Sequence, residues 1–284
     1  MSYSQLLNKD VLLFLLGQRW KKFKKDFWAK GGFSRPKHII VILILLWALY
    51  TFFKERGWLP KKSVRGKHIF LTGAGSGLGR GMAIRFAKRH ANLTLVDINE
   101  SGLMETKQMI KEETGKDENV LILQLDVANR EAISTVANKA RYTFGDVDIL
   151  INNAGIVQGK QMIDMNERLT SKCLVVNLEC HFWLIREFLP AMVRRDTGQI
   201  VSVASMAGVA GIPFFTDYSA SKFGAIGLME SLRLEMKRAR KNVRCTTIEP
   251  YFINTGMFEG VRDSLLFPYL EQDYVINRMM TSIL

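Results

Sequence analysis

The chain has 284 residues, 48% of them hydrophobic, and a formal net charge of +13. That length allows one large core and one or two domains. The charge is concentrated at one end: residues 1–67 hold 15 Lys and Arg against 3 acids and residues 68–284 hold 25 against 24, so the globular part is nearly neutral and nucleic-acid binding is excluded.

Two apolar runs stand in the basic N-terminal part, VLLFLL (11–16) and IIVILILLWALYTFF (39–53). The first is too short to span a bilayer and has no small-residue cleavage site after it. The second would be about 22 Å long as a helix, against a hydrocarbon core of about 30 Å. Eight Lys and Arg in 19–37 precede it and six in 54–67 follow it, and the positive-inside rule wants both flanks cytosolic. A half-inserted, monotopic anchor satisfies that demand better than a single span. Trp20, Phe23, Phe27 and Trp28 interleave with lysines ahead of it, a composition suited to an anionic membrane surface. The expected division is an anchoring segment over 1–60, a linker over 61–67 and a catalytic domain over 68–284.

From His68 onward, short apolar runs alternate with helical patterns: HIFLTG, LTLVDI, VLILQLDV, VDILINNAG, GQIVSVAS and VRCTTIEP read as six strands. Helices are expected to begin near Leu78, Glu100, Arg130, Leu169 and Tyr218. The alternation predicts an α/β fold with a doubly wound parallel sheet of Rossmann type, carrying the N-terminal membrane-anchoring helix as an appendage. Ligands in such folds sit at the carboxyl ends of the strands.

The first strand runs into TGAGSGLG and a helix. Gly73, Gly77 and Gly79 allow a tight turn that brings backbone amides up to a pyrophosphate at the positive end of the helix. Asp97 follows Gly79 by 18 residues, placed to accept from a ribose diol and to repel a 2′-phosphate, which favours NAD over NADP. Arg80, one turn into the helix, is expected to face solvent. Cys173, Cys180 and Cys245 are odd in number and form no CxxC pair, so they read as small apolar residues rather than as disulfide or zinc cysteines. The four histidines are scattered without ligand spacing, and no metal is expected.

Taken together, TGAGSGLG, LDV at Asp126, NNAG at 152–155, Asn177 in VVNLEC, Ser205 in VSVASMAG and Tyr218 with Lys222 in YSASK resemble the short-chain dehydrogenase/reductase family. The resemblance implies that Tyr218 is the general acid/base, that Lys222 lowers its pKa and holds the nicotinamide ribose, that Ser205 orients the reacting oxygen, and that Asn177 holds a relay water. It also implies that Ser76 and Leu78 join the glycines at the cofactor, that Asp126 and Val127 contact the adenine, and that Asn153 and Gly155 lie on the adenosine ribose side. A free phenol titrates near 10, too high for a neutral-pH base, so a neighbouring ammonium is needed. On a purely structural reading, Asp126 would cap the following helix and Asn152 and Asn153 would only turn a strand into a loop.

NNAGIVQGK, FLPAM and above all TGMFEG at 255–260 resemble the branch containing membrane-anchored retinol dehydrogenases and lipid-droplet 17-beta-hydroxysteroid dehydrogenases. Within it Thr255 is expected to touch the nicotinamide carboxamide. The residues that should cover the site are apolar: Tyr251, Phe252, Ile253, Met257, Phe258, Leu265, Leu266 and Phe267. The expected activity is oxidation of a lipophilic alcohol, all-trans-retinol first and a hydroxysteroid second, with NAD. The expected setting is the endoplasmic reticulum membrane or a lipid droplet, with the catalytic domain cytosolic and the chain a homodimer. An NADPH-dependent carbonyl reductase and a non-catalytic membrane or lipid-droplet protein are the alternatives. Relatives in this branch continue through a seventh strand, so the sixth is expected at an exposed edge, with VINRMMTSIL as the helix before the missing strand.

Overall fold

Short apolar runs bounded by asparagine and glycine build the catalytic unit of this computed structural model, which describes residues 36–55, 62–253 and 269–284 together with scattered positions between 17 and 29. The strands are β1 (His68–Thr72), β2 (Asn92–Asp97), β3 (Val120–Gln124), β4 (Ile149–Asn152), β5 (Gly198–Val203) and β6 (Val243–Ile248). The helices are α1 (Pro36–Glu55), α2 (Gly77–Ala87), α3 (Glu100–Thr114), α4 (Arg130–Phe144), α5 (Glu167–Leu174), α6 (Cys180–Arg194), α7 (Thr216–Arg238) and α8 (Gln272–Ile283). All strand pairings are parallel, in the order β3-β2-β1-β4-β5-β6. The chain reverses its direction of travel between β1 and β4, which opens a crevice at the carboxyl ends of the strands.

Several strands stop short of the apolar runs that announced them. β3 ends at Gln124 and β4 at Asn152, because the residues that follow leave the sheet to form the loops at its carboxyl edge. Three of the helices after such loops start on an asparagine cap: Asn99, Asn129 and Asn166 accept from the N–H groups of Gly102, Ala132 and Leu169. Each side chain thereby satisfies a donor that the helix start leaves open.

Alternation along the strands sends side chains to two cores. Ile69, Leu71 and Ile149 pack with Met82, Phe86, Leu103 and Ile276 from α2, α3 and α8 on one face. Phe70, Leu150 and Ile200 pack with Ile133, Leu184, Phe188 and Met229 from α4, α6 and α7 on the other. The helix expected near Leu169 begins at Glu167 and is interrupted by a π-turn, Val175–Glu179, before continuing as α6. Among the described residues β3 and β6 are the edge strands, and α8 packs against β6 and against α2.

The chain divides into two compact units, Met1–Lys61 and Lys62–Leu284. In the first, α1 is 20 residues long and apolar on all sides, with Trp47 68% and Leu45 63% exposed. Among the described residues no helix is long and apolar enough to cross a membrane. Upstream, the Lys24 ammonium lies 5.8 Å from the centroid of the Trp20 ring; Phe23, Phe27, Trp28 and the run at 11–16 lie outside the described residues. The second unit starts at the amino end of the sheet, where the Lys62 N–H donates to the carbonyl of Leu284 and its ammonium to the Gln199 side chain.

Candidate active site

A cavity of about 560 Å³ opens at the carboxyl ends of β1, β2, β3, β4 and β5. One end is the loop between β1 and α2. Gly73 and Gly77 there have φ of +67° and +51°, a backbone region that favours glycine. Both line the cavity, as do Ser76, just before α2, and Leu78 in its first turn. Gly79 acts from behind the wall: a Cβ at that position would stand 1.9 Å from the Gly73 carbonyl oxygen. The loop therefore closes tightly on the helix start, where free N–H groups meet an anion.

Asp97 at the end of β2 accepts from the N–H groups of Gly75 and Asn99, both at 2.9 Å, and lines the cavity. Two bonds leave a carboxylate with acceptor capacity to spare. Arg80 does not face solvent as expected. Its guanidinium donates to the Gly75 carbonyl and the Thr106 hydroxyl and pairs with Glu105 at 2.6 Å, because the turn that brings α2 against α3 surrounds it with acceptors.

Asp126 and Val127 line the same end. Asp126 is not the cap of α4, a role taken by Asn129; it accepts from the Ala128 N–H and pairs with Lys172 of α5 at 3.3 Å. Lys172 also lines the cavity, and nothing in its sequence context marked it. Asn153 ties β4 to the glycine loop, its side-chain amide donating to the carbonyls of Thr72 and Gly73. Its neighbour Asn152 is buried with neither amide atom hydrogen-bonded.

At the other end are Gly155, Ser205, Tyr218 and Lys222. The Lys222 ammonium donates to the Val203 carbonyl at 2.8 Å and lies 5.4 Å from the Tyr218 ring centroid. A Cβ on Gly155 would come within 3.3 Å of the Asn177 amide oxygen and 3.6 Å of the Lys222 nitrogen. Asn177 itself is fully buried in the π-turn rather than on the cavity wall. Its oxygen accepts from the Ile156 N–H at 2.8 Å, and its nitrogen donates to the Ile156 carbonyl and the Ser221 hydroxyl. Gln158 reaches from the same loop to Asp217, which accepts from the Tyr218 N–H.

Burial governs the titration of the pair. It pushes the Tyr218 phenol up to about 12, against the opposing hydrogen bond from Ser205. It also brings Lys222 down to about 8, against the smaller influence of Cys173 and Cys180. The lowering expected from Lys222 does not emerge: desolvation outweighs the Ser205 hydrogen bond, the one influence that favours the phenolate. Burial likewise raises the thiols of Cys173 and Cys180, to about 11 and 12. His181, entirely enclosed and 3.3 Å from the Ser202 hydroxyl, is lowered to about 3, first by burial and then by Lys222.

Beside Ser205 and Tyr218 a small second hollow is walled by Met206, Ile212, Phe215, Tyr251 and Phe252. Phe215 stacks at 6.1 Å from Phe252, which meets Tyr251 at 5.1 Å and Tyr269 at 6.0 Å between ring centroids. Thr255 and the apolar positions from Met257 to Phe267 lie outside the described residues.

A doubly wound sheet whose switch point carries a glycine loop, an acidic residue at the end of β2 and a Tyr-Lys pair is the framework of a nicotinamide-dependent oxidoreductase. The model of the short chain dehydrogenase family matches residues 67–265, and the chain belongs to that family. It is 44% identical to "Short-chain dehydrogenase/reductase family 16C member 6" of Bos taurus, over 79% of this chain and 71% of that one. It is 41% identical both to "Retinol dehydrogenase 10-B" of Danio rerio and to "Epidermal retinol dehydrogenase 2" of Homo sapiens, each over 79% of this chain and 73% of the relative. These relatives put it in the retinol dehydrogenase branch. Among solved structures, levodione reductase matches with a TM-score of 0.70 at 27% identity, covering 78% of this chain and 91% of that one. A short-chain dehydrogenase/reductase from Burkholderia phymatum in complex with NAD matches at 0.66 and 28%, covering 78% of this chain and 81% of that one.

Proposed function

We propose that the protein is a membrane-associated, NAD-dependent dehydrogenase that oxidises the hydroxyl of an elongated lipophilic alcohol, all-trans-retinol foremost, to the carbonyl. The observation that carries this reading is the continuity of the cavity: it runs from the glycine loop and Asp97 to Ser205, Tyr218 and Lys222, beside an aromatic wall. Relatives bearing the name retinol dehydrogenase support the substrate class.

The residues present fit a dinucleotide. The positive-φ glycines and the start of α2 suit a pyrophosphate, and the spare acceptor capacity of Asp97 suits a ribose diol. When bound, NAD supplies the hydride acceptor. Ser205 and the Tyr218 hydroxyl orient the substrate oxygen. In its deprotonated form the Tyr218 oxygen accepts the substrate O–H proton, and a bound NAD would take the hydride as the C–O single bond becomes a carbonyl. Because burial disfavours the phenolate, positive charge beside it is essential, and Lys222 provides it from within the same wall. Asn177 holds the Ile156 backbone and so fixes the loop that carries Gly155 beside Lys222.

Asp97 and the pairing of Arg80 with Glu105 favour NAD over NADP, against the carbonyl-reductase reading. Intact Ser205, Tyr218 and Lys222 disfavour a non-catalytic protein. We assign 1–60 to anchoring, 61–67 to a linker and 68–284 to catalysis. The exposed apolar surface of α1 supports insertion into one leaflet, at the endoplasmic reticulum or a lipid droplet, with the catalytic unit cytosolic. Homodimerisation would use the α5 and α7 faces.

The test is to supply membranes bearing the protein with all-trans-retinol and NAD, with Tyr218→Phe as control and parallel wells of estradiol and of NADP. Tyr218-dependent retinal formation is the expected result. NAD binding without turnover of any substrate would overturn the enzymatic reading.

A further inference from the structure

The amino end of the sheet, opposite the cavity, is predominantly basic at its β5–β6 corner. Lys237 and Arg238 close α7, Arg240 and Lys241 form the turn that follows, and Arg244 is the second residue of β6. Four of these are exposed and Lys241 is half-buried. Among the described residues none of the five closes an ion pair. Asp196, which Lys241 faces, is already engaged by the backbone and side-chain amides of Asn242.

The turn keeps this charge at a conformational cost. Arg240 has a φ of +54°, with its N–H donating to the Lys237 carbonyl and that of Lys241 to the Met236 carbonyl. This helix ending ordinarily takes glycine, and an arginine accepts left-handed backbone only with strain. Lys62 adds a further cation at the same corner, close enough to Arg244 for the two to repel.

Lys62 is also where the second compact unit begins, and residues 56–61 alone separate it from the end of α1. Fully extended, that tether reaches about 25 Å, so an α1 held in a bilayer keeps this corner of the unit near the lipid surface. We propose that the basic corner formed by Lys62, Lys237, Arg238, Arg240, Lys241 and Arg244 docks on an anionic lipid surface, orienting the catalytic unit on its membrane. The inference rests on the anchoring assigned above to α1. Each Lys or Arg near an anionic leaflet strengthens binding about fivefold, and the effect fades within a Debye length.

The full chain is reconstituted with vesicles of phosphatidylcholine alone or with one-fifth phosphatidylserine, recovered by flotation, and labelled with a water-soluble lysine acylating reagent. Lys237 and Lys241 should react several-fold more slowly on the anionic vesicles, while Lys160, exposed in the loop that follows the carboxyl end of β4, reacts equally on both. High salt should restore their reactivity, and Arg238→Glu/Arg240→Glu/Arg244→Glu should remove the protection. Equal labelling on the two lipids would overturn the proposal, as would protection by an added RNA on neutral vesicles with none from the anionic lipid. Flotation with neutral vesicles reports on α1 separately: a chain that floats only with anionic lipid would defeat the anchor reading and leave the basic corner standing.

Discussion

The ammonium of Lys222 lies 5.4 Å from the centroid of the Tyr218 ring, and both groups are almost wholly enclosed. Each is held away from its ordinary titration range by burial. Lys222 titrates at about 8 in the folded chain and near 10.5 unfolded. The unfolded state therefore binds the extra proton between those values, and stability rises with pH across that window. Below it the cost is constant, on the order of 3 kcal/mol at most. The phenol acts oppositely: folded Tyr218 keeps a proton that the unfolded chain loses above about pH 10, so its contribution falls as pH climbs toward 12. Lys222→Met should stabilise the protein by about 1–3 kcal/mol near pH 7 while abolishing turnover. Urea unfolding of the two proteins near pH 7 and again near pH 10 measures this; an equally large gain at both pH values would contradict the assignment.

His181 offers a test on the acid side. Folded it titrates at about 3, and unfolded near 6.5. The unfolded chain takes up the proton first, so stability is lost as pH falls from 6.5 toward 3. His181→Gln cannot titrate, and the difference in unfolding free energy between it and wild type should shrink steadily over that range. A constant difference would mean that His181 is not held neutral by its enclosure.

Nucleotide choice should turn on Asp97. Its replacement by Ser removes a charged acceptor and the repulsion of a 2′-phosphate, so NAD affinity should weaken about tenfold while NADP affinity improves. Adding Glu105→Gln removes the carboxylate that neutralises Arg80, whose guanidinium bonds the carbonyl of Gly75, the residue whose N–H donates to Asp97, and should favour NADP further. Calorimetric binding constants for both nucleotides decide the matter. Unchanged selectivity in Asp97→Ser would remove Asp97 from the cofactor site.

Two glycines should respond in opposite directions to alanine. At Gly79 the new carbon would strike the Gly73 carbonyl at 1.9 Å, forcing the loop open. A loss of more than about 2 kcal/mol and of cofactor binding is expected. Gly227, within α7, has open space around it, and alanine there should stabilise by roughly 0.5–1 kcal/mol. Thermal unfolding of both variants checks the pair.

Much of this arrangement was legible in the chain because it depends on local spacing. The apolar runs marked all six strands, and the residues that gather at the cavity stand at the carboxyl ends of those runs, where parallel topology brings them together. What escaped depends on which side chain meets which across the fold. Arg80 is enclosed because α3 supplies Glu105 and Thr106. Lys172 meets Asp126 from another helix, and burial raises the Tyr218 phenol more than spacing to a lysine could suggest. The capping asparagine of α4 stands three residues beyond the aspartate weighed for that role.

The π-turn between α5 and α6 can also be stated as an insertion. Such a turn carries one residue more than the α-helical path it replaces, and here that surplus centres on Asn177. Deleting a single residue from 175–179 would let the two helices run on as one. The flanking helices would keep their faces, because the wide turn alone had absorbed the surplus, but the Asn177 amide would lose its place against the Ile156 backbone it clasps at both ends. A gap of one position at this point in a relative's sequence therefore counts for more than its length: it would leave the sheet and both cores in place and disarm the loop beside Lys222.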